Sequence, residues 1–325
     1  MTEASEESTT AQPATEVPED AQTGSLDEVL AATEGTGDAV RQTTDDDESV
    51  GRPLALDTDA ANALAARRRP TVVVLAGRNE SGKTSVYAAI YERLGRGPFA
   101  GWLFAGSNTL SGFESRCHRW RKTSNAGVPE MEHTQATDLP WLHLRLTDVE
   151  KTMSARDYLF GDFDGEFFRE LLRNVKQPAE LPFLRRADHI GLVLDGERLA
   201  DPGRRETEVT ELEYLVGALS KPDAIAGPEV LSLVVTKLDL IDAIEDGTER
   251  SAIDEALDKA QSIVERLTNS PVPVIRLAAR SATDRYPLGH GLESLLERVS
   301  SHPATQVANE LPPQPAGDAF AGFRA

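Results

Sequence analysis

Thr71-Val72-Val73-Val74-Leu75-Ala76-Gly77-Arg78-Asn79-Glu80-Ser81-Gly82-Lys83-Thr84 joins an unbroken apolar run to a glycine-bounded loop that closes on a lysine and a threonine. A short run without polar alternation is what a parallel strand buried on both faces requires. From Gly77 onward the residues fit the pattern G-x-x-x-x-G-K-S/T in full, and they stand where it has a mechanism, between a strand and a helix. Glycines let the backbone curl so that successive N–H groups point inward, and the following helix adds its positive end; together these suit a polyphosphate. Lys83 is expected to reach the β- and γ-phosphates, and Thr84 to place its hydroxyl on Mg²⁺. Gly77, Asn79, Glu80, Ser81, Gly82 and Ser85 complete the expected cradle. A nucleoside triphosphate is the ligand this chemistry selects.

Similar apolar runs recur at Ile190–Leu194, Val230–Val235 and Val272–Leu277. Helical periodicity lies between them: Ile253, Ala256, Leu257, Ala260, Ile263, Val264 and Leu267 follow the i, i+3, i+4, i+7 rule, and Glu206–Ser220 is a second case. This alternation predicts a doubly wound α/β sheet, mostly parallel, with helices on both faces. Two earlier segments differ. Trp141–Leu146 alternates, and Tyr158-Leu159-Phe160 follows a polar turn, so the pair predicts an antiparallel hairpin at a sheet edge.

The chain has 325 residues, 39% hydrophobic and 27% charged, and no apolar run approaches the roughly 18 residues of a membrane span. No membrane partner is expected. The N-terminus lacks the basic and apolar regions of a secretory signal, and the single Cys117 can form no internal disulfide, so a reducing cytoplasm fits. The net charge of −20 is unevenly spread: residues 1–50 hold 14 acidic residues and one basic residue, leaving −20 − (−13) = −7 for the rest. Residues 1–65 are therefore expected to be an acidic disordered region. Within it, Ser25-Leu26-Asp27-Glu28 has capping-box spacing and leads Val29 and Leu30. The Pro-, Ala- and Gly-rich residues 301–325 are expected to form a second tail. The domain itself is expected at 66–300.

Thr236-Lys237-Leu238-Asp239 ends the run Val230–Val235, at the carboxyl edge where open α/β sheets bind ligands. It resembles the N/T-K-x-D motif of GTPases. A carboxylate at Asp239 can accept from both N1–H and the exocyclic N2–H₂ of guanine, a donor pair that adenine lacks. At roughly 1.5–3 kcal/mol for each charged hydrogen bond, two such bonds favour guanine by about 3–6 kcal/mol. Lys237 would lie along the ring. Leu277-Ala278-Ala279-Arg280 looks like the S-A-K/L element, with the Ala279 N–H on the guanine oxygen. Asp162-Phe163-Asp164-Gly165 resembles DxxG: Asp162 would hold Mg²⁺ through water, and the Gly165 N–H would meet the γ-phosphate.

Residues 95–140 form a connection too long for an unstructured loop. Ser111-Gly112-Phe113-Glu114 is a capping box, and Leu110, Phe113, Cys117 and Trp120 repeat at helical spacing. An amphipathic helix is expected there, with Arg116, Arg119, Arg121 and Lys122 facing outward. A sequence pI near 4.7 argues against nucleic acid as the partner of this basic face. The switch I threonine that reaches Mg²⁺ belongs shortly before the hairpin, where Thr134 and Thr137 are both placed; Thr134 is the choice.

The ordered set of phosphate loop, DxxG, TKxD and AAR resembles the translation-factor-related (TRAFAC) class of P-loop GTPases. More narrowly, Phe99–Leu110 and Gly112–His118 are similar to the bacterial double-GTPase domain family. That resemblance implies a Ras-like fold, GTP/GDP with Mg²⁺ as cofactors, a protein effector or second GTPase as partner, and a place in prokaryotic conflict and defence systems. Many relatives carry glutamine directly after the DxxG glycine; here the residue is Glu166, whose charge opposes the developing phosphoryl charge. Slow turnover follows. Asn79 and Glu80 fill loop positions that are small in many relatives, which narrows access for an external arginine, and a finger in cis from Arg116, Arg119 or Arg121 is the alternative supply. The expected function is a slowly hydrolysing GTP switch. A non-hydrolysing GTP-binding module is the second reading, separable by single-turnover phosphate release. An ATP-dependent small-molecule kinase is the third, separable by competing ATP against GTP.

Overall fold

A computed structural model describes residues 53–122, 139–150, 155–168, 182–222, 224–281 and 285–301. In chain order these form α1 (Thr58–Arg68), β1 (Thr71–Ala76), α2 (Lys83–Gly95), β2 (Trp102–Gly106), α3 (Leu110–Lys122), β3 (Trp141–Asp148) and β4 (Ala155–Gly161). There follow α4 (Pro182–Arg186), β5 (His189–Asp195), α5 (Gly196–Ala200), α6 (Pro202–Leu219) and β6 (Leu231–Thr236). The last are α7 (Leu238–Asp242), α8 (Gly247–Thr268), β7 (Val274–Arg276) and α9 (Leu292–Ser301).

The strands form one sheet in the order β2-β3-β4-β1-β5-β6-β7. β1 lies between β4 and β5, parallel to both, and β6 and β7 continue the parallel part. β3 runs against both β4 and β2. The architecture is thus the Ras-like α/β fold expected, and the antiparallel hairpin pairs from Trp141↔Gly161 to Thr147↔Ala155. β2, inside the long connection, carries no strand signal of its own; it adds one strand outside the hairpin, reached through a tight turn in which Phe99 and Trp102 exchange backbone hydrogen bonds of 2.9 Å.

Two cores explain the apolar runs. Val72, Val74 and Ala76 of β1 face one layer with Ile190, Leu192 and Leu194 of β5 and the inner faces of α6 and α8. Val73 and Leu75 face the other layer with α2, Phe113 of α3 and the leucines of α9. Alternate residues of one strand feed opposite cores, which is why Val72 to Ala76 are apolar without a break. The same logic sets the phase of α8, whose buried Ile253, Ala256, Leu257, Ala260, Ile263 and Val264 are the periodic set.

One difference concerns the N-terminal boundary. Residues 58–68, mostly inside the stretch expected to be disordered, form α1, capped by the Asp57 carboxylate accepting from Ala60 N–H at 2.7 Å. Ahead of it, Leu56 and Trp141 exchange N–H···O bonds of 2.8 and 2.9 Å. Buried Leu56 and Ala61 supply the apolar contact that the acidic composition hides. The capping-box segment at Ser25 and the tail from 302 onward lie outside the described residues.

Candidate functional site

The phosphate loop leaves β1 at Gly77 and returns as α2 at Lys83, with Ser81 and Lys83 buried and Asn79, Glu80 and Thr84 exposed. The Lys83 ammonium folds back over the loop, donating to the Gly77 carbonyl at 3.0 Å and to the Arg78 carbonyl. Burial pushes its pKa down from 10.5 to about 8, although Asp162, Asp164, Asp195 and Glu208 pull the other way. A desolvated ammonium among carbonyl dipoles is a receptor for an anion. Ser81 Oγ donates to the Arg78 carbonyl at 2.9 Å, and Asn79 Oδ1 accepts from Glu80 N–H at 3.0 Å, so the curl is held by its own side chains. Ser85 sits half-buried one residue beyond Thr84.

The DxxG element follows β4 and abuts this loop. Thr84 Oγ1 donates to Asp162 Oδ1 at 2.8 Å. A hydroxyl and a carboxylate side by side are oxygen donors of the kind Mg²⁺ takes alongside phosphate oxygens, and these residues fit it. Among the described residues no group of three or more His, Cys, Asp and Glu could hold a metal without such help. Phe163 points away into an aromatic cluster, 5.0 Å from Trp141 and 4.8 Å from Phe183 between ring centres, which anchors the segment while leaving Asp162 at the loop. Gly165 lies against the phosphate-loop backbone so closely that a Cβ there would sit 1.7 Å from Asn79 N. Glu166 is exposed, its N–H donating to Asp164 Oδ1 at 3.2 Å. Behind the site Tyr87 of α2 accepts from Leu75 N–H at 3.0 Å and donates to the Gly161 carbonyl at 3.2 Å, tying β1 to β4.

The TKxD element is fastened to the phosphate loop directly. Thr236 Oγ1, at the end of β6, donates to the Ser81 carbonyl at 2.7 Å. Asp239 is 2% exposed at the start of α7. Leu238 N–H donates to the Leu277 carbonyl at 3.2 Å, and Ala279, also buried, accepts from Gly289 N–H at 3.0 Å, so TKxD and the Ala279-Arg280 turn are neighbours. Lys237 adopts a left-handed φ of 50° and reaches Asp195 at 3.0 Å and Glu197 at 2.8 Å. Burial alone would lower its pKa; the Glu197 and Asp195 carboxylates outweigh burial and raise it.

Asp195, Glu197 and Glu208 were not singled out by sequence. Asp195 N–H donates to Glu208 Oε1 at 2.9 Å, and Arg198 Nε donates to Glu208 Oε2 at 2.7 Å. Burial raises the Glu208 pKa against that pairing. The available signal was an acid at Asp195 directly after a buried strand, on the edge that carries the ligand. The sequence also misplaced Arg116: expected to face outward, it turns inward and its guanidinium meets Asp162 at 2.7–2.8 Å. Helix periodicity puts Phe113 and Cys117, both fully buried, on the inner face, and Arg116 lies beside them. Thr134 and Thr137 fall outside the described residues, as do the side chains of Arg119 and Arg121.

A curled phosphate loop, a hydroxyl–carboxylate pair beside it and a TKxD strand end fastened to the loop, on this sheet, define a P-loop GTPase. The chain belongs to the Double-GTPase 2 family, which it matches over residues 71–300. Membership supports guanine-nucleotide binding. Among solved structures the chain is similar to the signal recognition particle receptor SRb-GTP/SRX complex from Chaetomium thermophilum, with 16% identity and a TM-score of 0.41 over 72% of this chain and 99% of that one. No curated protein matches it. Among the described residues no helix is long and apolar enough to cross a membrane.

Proposed function

We propose that this chain is a Mg²⁺-dependent GTPase of low intrinsic rate, a cytoplasmic switch whose GTP-bound form engages a protein effector or a second GTPase through residues 95–140. The observation that supports it is the Thr236–Ser81 hydrogen bond of 2.7 Å, which joins residues 155 apart in sequence and ties the end of β6 to the loop before α2. Lys83 and the loop amides grip the β- and γ-phosphates; Thr84 and Asp162, with Thr134 from switch I, hold the metal. The Gly165 N–H meets the γ-phosphate. Asp239 reads the guanine N1–H and N2–H₂, while Ala279 N–H, with Arg280 beside it, meets the guanine oxygen. Bound Mg²⁺ neutralises charge that develops on the phosphoryl oxygens. Glu166 adds negative charge next to Gly165, and the rate is low for that reason. Of the three arginines considered for a finger in cis, Arg116 has a described side chain, and its guanidinium reaches Asp162. The family resemblance suggests work in prokaryotic conflict or defence.

The test is single-turnover release of phosphate from GTP with Mg²⁺. Slow but measurable release is expected, and Lys83→Ala should abolish triphosphate binding. Tight GTP binding with no release would instead establish the second reading, a module that holds GTP without hydrolysing it. That reading is favoured by Glu166 and by the engagement of Asp162 with Arg116.

A further inference from the structure

Around Asp162 three separate parts of the chain converge. Its Oδ1 accepts the Thr84 hydroxyl at 2.8 Å, and its Oδ2 accepts Arg116 Nε at 2.8 Å and lies 2.7 Å from Arg116 Nη2. The same guanidinium donates from Nη1 to the Gly112 carbonyl at 3.0 Å and reaches the Leu54 carbonyl at 3.5 Å. Arg116 is 13% exposed and Asp162 9% in their side chains, so water screens the pair weakly. Gly112 permits the approach of the N-terminal segment, since a Cβ there would lie 1.8 Å from the Leu54 carbonyl oxygen. α3, the segment before α1 and the end of β4 thus meet at one guanidinium.

A fork of two N–H donors on one carboxylate oxygen leaves that oxygen little capacity for a second cation. A guanidinium and a divalent ion at the same acid also repel each other. We infer that Arg116 is a positioning residue that competes with Mg²⁺ for Asp162, so that loading the metal releases α3 from the end of β4. This rests on the reading of Thr84 and Asp162 as the Mg²⁺ corner of the nucleotide site. Residues 95–140, the surface assigned to the partner, then report metal and nucleotide occupancy through a side chain of their own.

The full chain is loaded with a fluorescent GDP analogue, and its release rate is followed against buffered free Mg²⁺. Arg116→Ala should lower the Mg²⁺ midpoint for nucleotide retention by about tenfold, the low end of what a charge-assisted pair contributes. Arg116→Lys, which keeps the charge but loses the fork, should fall between the two and serves if the alanine variant does not fold. Hydrogen exchange of residues 110–118 should rise when wild-type protein takes up Mg²⁺·GDP, and Arg116→Ala should already show that faster exchange without metal. A midpoint within twofold of wild type, or a raised one, overturns the competition. Failure of the wild type to retain the analogue at any Mg²⁺ concentration overturns the nucleotide reading as well, which separates the two failures.

Discussion

Gly165→Ala adds one methyl group, and the fold leaves it no room. Its Cβ would lie 1.7 Å from Asn79 N, 2.2 Å from Arg78 C and 2.4 Å from Asn79 Cα. Ordinary contact starts at 3.4 Å, so the two segments must part by about 3.4 − 1.7 = 1.7 Å. All three obstacles are backbone of the phosphate loop, and no rotamer change relieves them. Overpacking of this kind costs about 1–3 kcal/mol. For a domain of this size each kcal/mol lowers Tm by roughly 2–4 °C, so the nucleotide-free variant should melt about 2–12 °C below wild type. On the proposed reading the displaced Gly165 N–H no longer meets a γ-phosphate, whereas Asp239, on the far side of the loop's contact with Thr236, keeps its place. Thermal denaturation of both proteins without nucleotide, with GDP and with a non-hydrolysable GTP analogue reads both effects. Wild type should gain more from the GTP analogue than from GDP; the variant should gain equally from each. An unchanged Tm, together with a preserved GTP increment, would refute the packing of Gly165 on the loop and its role as the γ-phosphate contact.

Thr236→Val keeps the shape but removes the donor to the buried Ser81 carbonyl; at about 1–3 kcal/mol for an unsatisfied buried group, GTP affinity should fall roughly tenfold, and Thr236→Ser should restore it, by calorimetry. His143 supplies a pH dependence. Its Nδ1 accepts from Asn108 N–H at 3.0 Å and its Nε2 faces Asp157 at 2.9 Å, so the neutral ring fits and a second proton does not. Burial lowers its pKa below 6.5 despite Asp157. The unfolded chain therefore binds this proton more readily, and the stability from His143 is present above pH 6.5 and lost as pH falls through the lower folded value. Wild-type Tm should drop more between pH 7 and 5 than that of His143→Gln; equal slopes would show that His143 is not the titrating group.

What was legible in the sequence is what short-range chemistry dictates. β1, the phosphate loop and the start of α2 occupy one continuous stretch, and the TKxD position follows from a buried strand that must end at the ligand edge. α3 was legible in its phase, from Phe113 and Cys117. What escaped depends on chain segments far apart. Arg116 turns inward because Asp162, 46 residues later, offers it a carboxylate. Lys237 finds Asp195 and Glu197 only once β5 and β6 pair, which places Asp195 opposite Thr236. β2 is legible as a strand only beside β3, since its burial is incomplete and alternation does not mark it. α1 has a local signal, the Asp57 cap and a run of alanines, but it lies against an acidic stretch whose composition masks it.

Base selection tests the central claim most directly. Binding of GTP, ATP and XTP to wild type and to Asp239→Asn should be measured by calorimetry at constant Mg²⁺. Two charged hydrogen bonds predict a wild-type preference for GTP over ATP of about 10²–10⁴-fold. Asp239→Asn, which exchanges an acceptor for a donor, should lose GTP and gain XTP. Equal affinity of the wild type for GTP and ATP, or an Asp239→Asn protein with unchanged base preference, would contradict it.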